Sequence, residues 1–172
     1  MVIWLTGISG AGKTSIAKEL IKRYKSYLPH LVNVDGDEVR MLFNNDLGYD
    51  IEDRNKQINR IQSICKFLDS QKMIVIASAL YSNLKILKWN RANFSDYKEI
   101  YIKASLDLVQ KADVKGIYSK FQKMKVKNLV GIDIEWIEPI NPHLTINRDD
   151  GINLNSTIDL ITKNISCFKK IK

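Results

Sequence analysis

The chain reads Gly7-Ile8-Ser9-Gly10-Ala11-Gly12-Lys13-Thr14 directly after an apolar segment at residues 2–5. This run fits the pattern G-x-x-x-x-G-K-[ST], and a segment of helical periodicity follows it. Glycines allow a tight turn whose N–H groups converge on phosphate oxygens, and the start of the next helix adds a favourable dipole. A Gly-rich turn with an incidental lysine is the alternative. The pattern, its position and its flanking segments together favour a nucleotide-binding phosphate loop.

The side chains of this loop have expected roles. Lys13 would bridge the β- and γ-phosphates, and the Thr14 hydroxyl would ligate Mg²⁺. The residues expected to contact the nucleotide are Gly7, Ser9, Gly10, Ala11, Gly12, Lys13, Thr14 and Ser15. The sequence contains no Asn-Lys-x-Asp run of the kind that reads guanine, so we expect ATP as the phosphate donor.

Short β-branched segments alternate with helical segments along the chain. The strand-like segments are residues 2–5, 31–34, 73–77 and 100–102, and the helix-like segments are residues 15–27, 54–68 and 157–169. Asn155 or Ser156 is expected to cap the last helix. The order predicts an α/β fold of the three-layer P-loop NTPase-type kinase class, with a parallel sheet flanked by helices. The apolar stripe at residues 54–68 could serve a homodimer as well as the core.

Composition limits the remaining possibilities. The 172 residues, of which 45% are hydrophobic and 27% charged, are expected to form one domain. No apolar run approaches the roughly 20 residues of a membrane span and no leader is evident, so we expect a cytoplasmic protein. Cys65 and Cys167 lack metal-binding or redox spacing and are expected to be buried hydrophobic residues. The net charge of +8 does not by itself distinguish nucleic acid, a membrane surface and a small polyanionic substrate.

A second polar cluster follows the strand-like segment at residues 31–34. It reads Asp35-Gly36-Asp37-Glu38-Val39-Arg40 and is expected at the edge of the sheet that carries the phosphate loop. A carboxylate at this edge could accept the proton of an attacking hydroxyl, and Asp37 is the residue that we assign to this role. In the alternative, Asp37 caps the next helix and Arg40 is a surface charge.

An aromatic residue and a second arginine come next. Leu47-Gly48-Tyr49-Asp50 leads to Asp53-Arg54, where a planar guanidinium can hold phosphate or sulfate with two hydrogen bonds. With these runs the chain resembles the adenylylsulfate (APS) kinase family. The other matching runs are residues 7–14, Asp35-Gly36-Asp37 with Arg40, residues 113–118, Val126-Lys127-Asn128, Gly131-Ile132-Asp133 and Glu138-Pro139-Ile140-Asn141-Pro142. They follow the family's order over nearly the whole chain.

The resemblance implies a reaction and a set of acceptor contacts. The γ-phosphate of ATP would pass to the 3′-hydroxyl of a small anionic nucleotide with a modified 5′-phosphate. Asp37 would be the base, and Arg40 and Arg54 would clamp the 5′ group of the acceptor. A lid at about residues 111–131, which includes Lys127, would close over the phosphates. The other implied acceptor contacts are Asp35, Tyr49, Gln57, Leu129 and Ile132.

Three other functions fit part of the sequence. The lysines of the lid, with Tyr118 and Phe121, could form an RNA-binding face, but no recognised nucleic-acid motif accompanies them. A non-catalytic ATP-binding protein would be expected to lose the loop lysine, its threonine or the proposed base, and all three are present. A kinase for a sugar acid or a shikimate-like acceptor would leave Tyr49 and the lid motifs unexplained.

The chain departs from the family on the acceptor side. Tyr81 stands where the family has a serine, Gln57 where it has an asparagine, and Ala112 where it has an arginine. Leu129 replaces the second of two aromatic rings that flank adenine, the first being Tyr49, and losing a stacking face removes roughly 1–3 kcal/mol per base. The chain therefore resembles the branch of the family in capsular polysaccharide pathways, the cytidine diphosphoramidate kinases. An ordinary APS kinase is the alternative.

Overall fold

The computed structural model describes residues 1–80, 83–113, 116–123 and 127–169. The strands are β1 (Val2–Thr6), β2 (Leu31–Asp35), β3 (Ile74–Ala79), β4 (Tyr97–Lys103) and β5 (Leu144–Asn147). The helices are α1 (Lys13–Tyr24), α2 (Gly36–Leu42), α3 (Ile51–Ser70), α4 (Leu84–Asn93), α5 (Leu106–Ala112), α6 (Ile117–Gln122), α7 (Leu154–Asn164) and α8 (Ser166–Lys169), with a 3₁₀ turn at Arg148–Asp150.

The strands of the described residues form one five-stranded sheet in the order β2-β3-β1-β4-β5. Each neighbouring pair is parallel. Because parallel neighbours require crossovers, the chain supplies helices between them, and these cover both faces of the sheet. The predicted α/β fold with a parallel sheet flanked by helices is confirmed.

Two hydrophobic clusters lie on opposite faces of this sheet. Successive residues of β1 alternate between them, so that Ile3 packs on the α1 and α7 side and Trp4 on the α3 and α4 side. Every residue of β1 is buried, as expected for a strand covered on both faces. The apolar stripe of α3 belongs to the second cluster, so it serves the core. Cys65 in this stripe is buried, as predicted, and burial raises the pKa of its thiol to about 12.

The end of the chain differs from its prediction. The single helix expected at residues 157–169 is two helices, α7 and α8, because Ile165 between them has an extended backbone. The predicted caps, Asn155 and Ser156, were wrong. Asn153 caps α7, and its side chain accepts a hydrogen bond from the N–H of Ser156.

The carboxyl ends of β1, β2 and β3 lie at one edge of the sheet. The phosphate loop follows β1, Asp35 ends β2, and Ser78 of β3 is the register partner of Asp35. Residues that are distant in the sequence therefore meet at this edge. Among the helices of the described residues, none combines the length and the apolar character that crossing a membrane requires.

Candidate active site

Three glycines of the phosphate loop have backbone conformations that no other residue could adopt without strain. Gly10 and Gly12 have φ values of +81° and +103°, in the region that favours glycine. Gly7 has a φ of +152°, and a Cβ atom there would lie 2.3 Å from the carbonyl oxygen of Ile102 in β4. The loop thus passes too close to the sheet to accept any side chain at its first position.

Lys13 spans this loop from its end back to its beginning. Its Nζ donates hydrogen bonds to the carbonyl oxygens of Gly7 at 2.6 Å and Ile8 at 2.8 Å. The side chain is 8% exposed, and these two carbonyl oxygens are among the groups that replace water around its charge. This position suits an ammonium group that stabilises phosphate charge at the mouth of the loop.

Asp35 joins the phosphate loop to α2. One oxygen of its carboxylate accepts a hydrogen bond from Thr14 Oγ1 at 2.8 Å, and the other accepts from the N–H of Asp37 at 2.9 Å. Asp35 therefore caps α2, and the alternative in which Asp37 caps this helix was wrong. Asp37 itself is exposed in the first turn of α2.

The surroundings of Thr14 and Asp35 fit a magnesium ion. Both offer oxygen atoms, the ligand type that Mg²⁺ prefers, and they already lie in contact. Ser78 lies beside Asp35 in the neighbouring strand, and its buried Oγ has no hydrogen-bond partner among the described residues. A buried polar atom without a protein partner is expected to bond a water molecule or a ligand.

Two arginines and Tyr49, the residues expected to contact the acceptor, lie together. Arg40 Nη1 donates to the carbonyl oxygens of Leu47 at 3.0 Å and Gly48 at 3.1 Å, and its guanidinium lies 4.5 Å from the centre of the Tyr49 ring. Arg40 is 8% exposed, so its interpretation as a surface charge was wrong. The arginine holds the loop that presents Tyr49, whose side chain is 56% exposed.

Arg54 connects this loop to the lid segment. Its Nε donates to the carbonyl oxygen of Tyr49 at 2.8 Å, and its Nη2 donates to the carbonyl oxygen of Asn128 at 2.6 Å. Its guanidinium also lies 5.6 Å from the centre of the Tyr49 ring. The charges of Arg40 and Arg54 are therefore concentrated around one exposed aromatic ring.

Gln57 lies between α3 and the start of α2. Its Nε2 donates to the carbonyl oxygen of Gly36 at 3.0 Å. Its Oε1 is buried and has no hydrogen-bond partner in the described part of the chain. The structure thus joins Gln57 to the first residue of α2, and its role as an acceptor contact stays a prediction.

The residues predicted in the lid divide into buried and exposed positions. Leu129 is 4% exposed and packs in the hydrophobic cluster on the α1 side, because the tight turn at residues 129–134 directs it inward. It does not offer the exposed surface that a base-facing position would provide. Lys127 and Ile132 are exposed. Tyr81 and residues 114, 115 and 124–126 lie outside the described residues.

Two contacts of the site were not predicted from the sequence. The sequence assigns no role to Ser78, and it places Tyr118 only in the lid and in a possible RNA-binding face. The structure places Ser78 beside Asp35, and it places the Tyr118 hydroxyl against the carbonyl oxygen of Ser9 in the phosphate loop. The signal in the sequence is the run Lys115-Gly116-Ile117-Tyr118, in which the tyrosine has no assigned partner.

Known proteins match this chain over most of its length. The adenylylsulphate kinase family model matches residues 1–147. A cytidine diphosphoramidate kinase of Campylobacter jejuni is 34% identical over 165 residues, which cover 96% of each chain. An adenylyl-sulfate kinase of Gloeothece citriformis is 34% identical over 149 residues, covering 87% of this chain and 85% of that protein. The APS kinase of Mycobacterium tuberculosis, solved with AMPPNP and APS, superposes with a TM-score of 0.85 at 24% identity over 95% of both chains.

The fold and the site together define a P-loop kinase, because a phosphate loop joins β1 to α1 at the edge where the polar side chains gather. The family model covers most of the chain, and the relatives match over nearly their whole length. This chain belongs to the adenylylsulfate kinase family. It is a phosphotransferase that acts on a hydroxyl group, and the predicted family is confirmed.

Proposed function

We propose that this chain transfers the γ-phosphate of ATP to the ribose 3′-hydroxyl of cytidine diphosphoramidate. Adenylylsulfate is the alternative acceptor. Relatives of both kinds are about equally similar to the chain, at 34% identity, so overall similarity does not choose between them.

The choice of acceptor rests on the identity and the buried position of Leu129. In the APS kinase pattern this position supplies the second of two rings that enclose adenine. Here it is a leucine that packs in the core, so Tyr49 is left to stack on the base without that second ring. A pyrimidine offers less stacking area than a purine and depends less on the missing face. The site therefore suits a cytidine nucleotide better than an adenine nucleotide.

In the proposed reaction, Asp37 accepts the proton of the 3′-hydroxyl as its oxygen attacks the γ-phosphorus. The bond between the γ-phosphorus and the bridging oxygen breaks, and ADP leaves with the bridging oxygen. Lys13 and the N–H groups of the loop stabilise the charge on the transferring group. Arg40 and Arg54 orient the acceptor through its 5′ phosphorus group.

Thr14 and Asp35 would hold a magnesium ion in this reaction, with Ser78 as a partner for one of its waters. A bound Mg²⁺ neutralises phosphate charge and orients the transferring group. Thr14 Oγ1 and Asp35 Oδ2 lie 2.8 Å apart, which supports a role for both oxygens at one metal site.

The proposal is tested by comparing acceptors in one assay. The purified chain is incubated with ATP, Mg²⁺ and either cytidine diphosphoramidate or APS, and ADP release gives kcat/KM for each. Lys13→Ala serves as the blank, because it removes the loop ammonium and exposes any contaminating kinase. We expect kcat/KM for the cytidine compound to exceed that for APS at least about tenfold, a difference of about 1.4 kcal/mol. Turnover of APS at equal or greater efficiency would overturn the choice of acceptor, and turnover of neither would overturn the nucleotide kinase assignment.

A further inference from the structure

One side chain of the lid segment reaches the phosphate loop. The hydroxyl of Tyr118 in α6 donates a hydrogen bond to the carbonyl oxygen of Ser9 at 2.9 Å. Tyr118 is 3% exposed and packs in the hydrophobic cluster on the α1 side of the sheet. The bond is therefore shielded from water. Breaking it would leave the buried carbonyl of Ser9 without a hydrogen-bond partner.

The geometry of the peptide group gives this bond a consequence for the nucleotide. The carbonyl of Ser9 and the N–H of Gly10 belong to one planar trans peptide, so they point in opposite directions. When Tyr118 holds the carbonyl toward α6, the N–H of Gly10 is directed away from α6. An N–H group of a phosphate loop must point into the loop to bind a phosphate oxygen.

The packing around Gly10 agrees with this orientation. A Cβ atom at Gly10 would lie 3.2 Å from Cβ of Val109 and 3.9 Å from Cε2 of Tyr118. The outer side of the loop is thus pressed against α5 and α6. The N–H of Gly10 is therefore directed toward the other side of the loop, away from these helices.

Tyr118 is itself held at the start of α6. The carboxylate of Asp113 accepts the N–H of Tyr118 at 3.0 Å, and it also accepts the N–H and the hydroxyl of Ser119. Burial raises the pKa of the Tyr118 phenol to about 12, so the hydroxyl keeps its proton and remains a donor at neutral pH. The donor is therefore fixed in place and in protonation state.

We propose that Tyr118 is a positioning residue for the phosphate donor, whose hydroxyl holds the Ser9–Gly10 peptide in the orientation that binds polyphosphate. The residue acts through the loop and does not touch the nucleotide. Because the bond starts in the lid segment, it also ties the position of α6 to the state of the loop. This role concerns the donor side, so it holds whichever nucleotide accepts the phosphate.

The test is ADP binding to Tyr118→Phe, measured by isothermal titration calorimetry without acceptor. The variant loses the hydroxyl and keeps the ring, and we expect the Kd for ADP to rise roughly three- to tenfold, the effect of one buried hydrogen bond. Tyr97→Phe is the matched control. It removes another buried hydroxyl, one that donates to Glu99 at 2.9 Å on the α3 and α4 side of the sheet. A general loss of stability lowers the Tm of both variants, whereas only Tyr118→Phe is expected to weaken ADP binding.

Asp113→Asn provides a second variant that leaves the tyrosine intact. It weakens the anchoring of α6, and we expect a smaller rise in the Kd for ADP in the same direction. Wild-type affinity in Tyr118→Phe, or an equal loss in Tyr97→Phe, would overturn the proposal. If Tyr118→Phe does not fold, wild-type ADP affinity in Asp113→Asn overturns it instead. ADP binding needs no acceptor, so these outcomes are separate from the failure of the proposed function.

Discussion

Asp35 accepts hydrogen bonds from two elements at the edge of the sheet where the candidate site lies. Thr14 belongs to α1, which follows the phosphate loop, and Asp37 belongs to the first turn of α2. Because both bonds end on one buried carboxylate, the loop and the start of α2 keep a fixed relation. The backbone of Asp37 is thereby linked through Asp35 to Thr14, the proposed metal ligand.

Replacing the proposed base tests its role at the scale of one residue. Asp37→Asn keeps the size of the side chain and removes its ability to take a proton, so kcat is expected to fall about 10²- to 10⁴-fold. The affinity for ATP should stay within about twofold, because Asp37 does not belong to the phosphate loop. Steady-state kinetics and calorimetry measure the two quantities. Glu38→Gln, which alters the next exposed carboxylate of α2, is the control, and an equal loss in both variants would remove Asp37 from its role.

The proposed metal ligand makes a separate prediction. Thr14→Val removes the hydroxyl that contacts Asp35 and changes the shape of the side chain little. We expect the Mg²⁺ concentration for half-maximal rate to rise roughly 10- to 100-fold. Binding of ADP measured with EDTA should not change. Thr162→Val in α7 is the control, and a wild-type Mg²⁺ requirement in Thr14→Val would contradict the assignment.

At the scale of single elements, the start of α3 positions two residues that are proposed to contact the acceptor. Asp50 caps this helix by accepting the N–H of Asp53 at 2.8 Å, and Tyr49 and Arg54 flank the cap. Asp50→Ala should therefore lower the free energy of unfolding by about 1 kcal/mol and also raise KM for the acceptor. Asn153→Ala removes the equivalent cap of α7, away from the site. It should cost similar stability with no change in KM, and a change of KM in both variants would argue against a local effect.

The strands and helices that the sequence predicts well are those with a long, regular hydrophobic pattern. The first four strands and helices α1 and α3 have continuous β-branched runs or long apolar stripes, and they lie where expected. β5 was not predicted because Leu144–Asn147 has only four residues, too few for its alternation of apolar and polar residues to stand out. α4 was also missed, although Asn83 caps it by accepting the N–H of Ile86.

The candidate site was predictable where its residues are consecutive. The phosphate loop is one run of eight residues, so its pattern is visible in the sequence alone. The contacts of Ser78 with the Asp35 strand and of Tyr118 with Ser9 join distant segments, and they depend on strand order and helix packing. The inward position of Leu129 is also a result of tertiary packing, since a leucine suits a core and a ligand wall equally.

At the scale of the whole molecule, stability depends on a carboxyl group in the sheet away from the site. Glu99 of β4 is fully buried, accepts a hydrogen bond from the Tyr97 hydroxyl at 2.9 Å and pairs with Arg91 at 3.0 Å. Its backbone N–H donates to Nδ1 of His143. Burial raises the pKa of the Glu99 carboxyl despite the hydrogen bond from Tyr97 and the charge of Arg91, which lower it.

The raised pKa of Glu99 determines whether the stability of the fold rises or falls with pH. The native state holds the Glu99 proton more tightly than the unfolded chain, so this contribution to stability is complete below the unfolded pKa. It is lost as the pH rises from about 4.5 through the native pKa. Glu99→Gln cannot ionise, so the stability of the wild type relative to this variant should decline over that range. Melting temperatures between pH 4 and 7 measure it, and a growing advantage of the wild type would show that pairing with Arg91 outweighs burial.

The most direct measurement of the whole account is a structure with a non-hydrolysable ATP analogue and the cytidine acceptor bound together. The account predicts an Asp37 carboxylate oxygen within about 3.2 Å of the acceptor 3′-oxygen, and that oxygen in line with the γ-phosphorus held at Lys13. A complex in which the Asp37 side chain points away from the 3′-oxygen, or in which another hydroxyl faces the γ-phosphate, would contradict it.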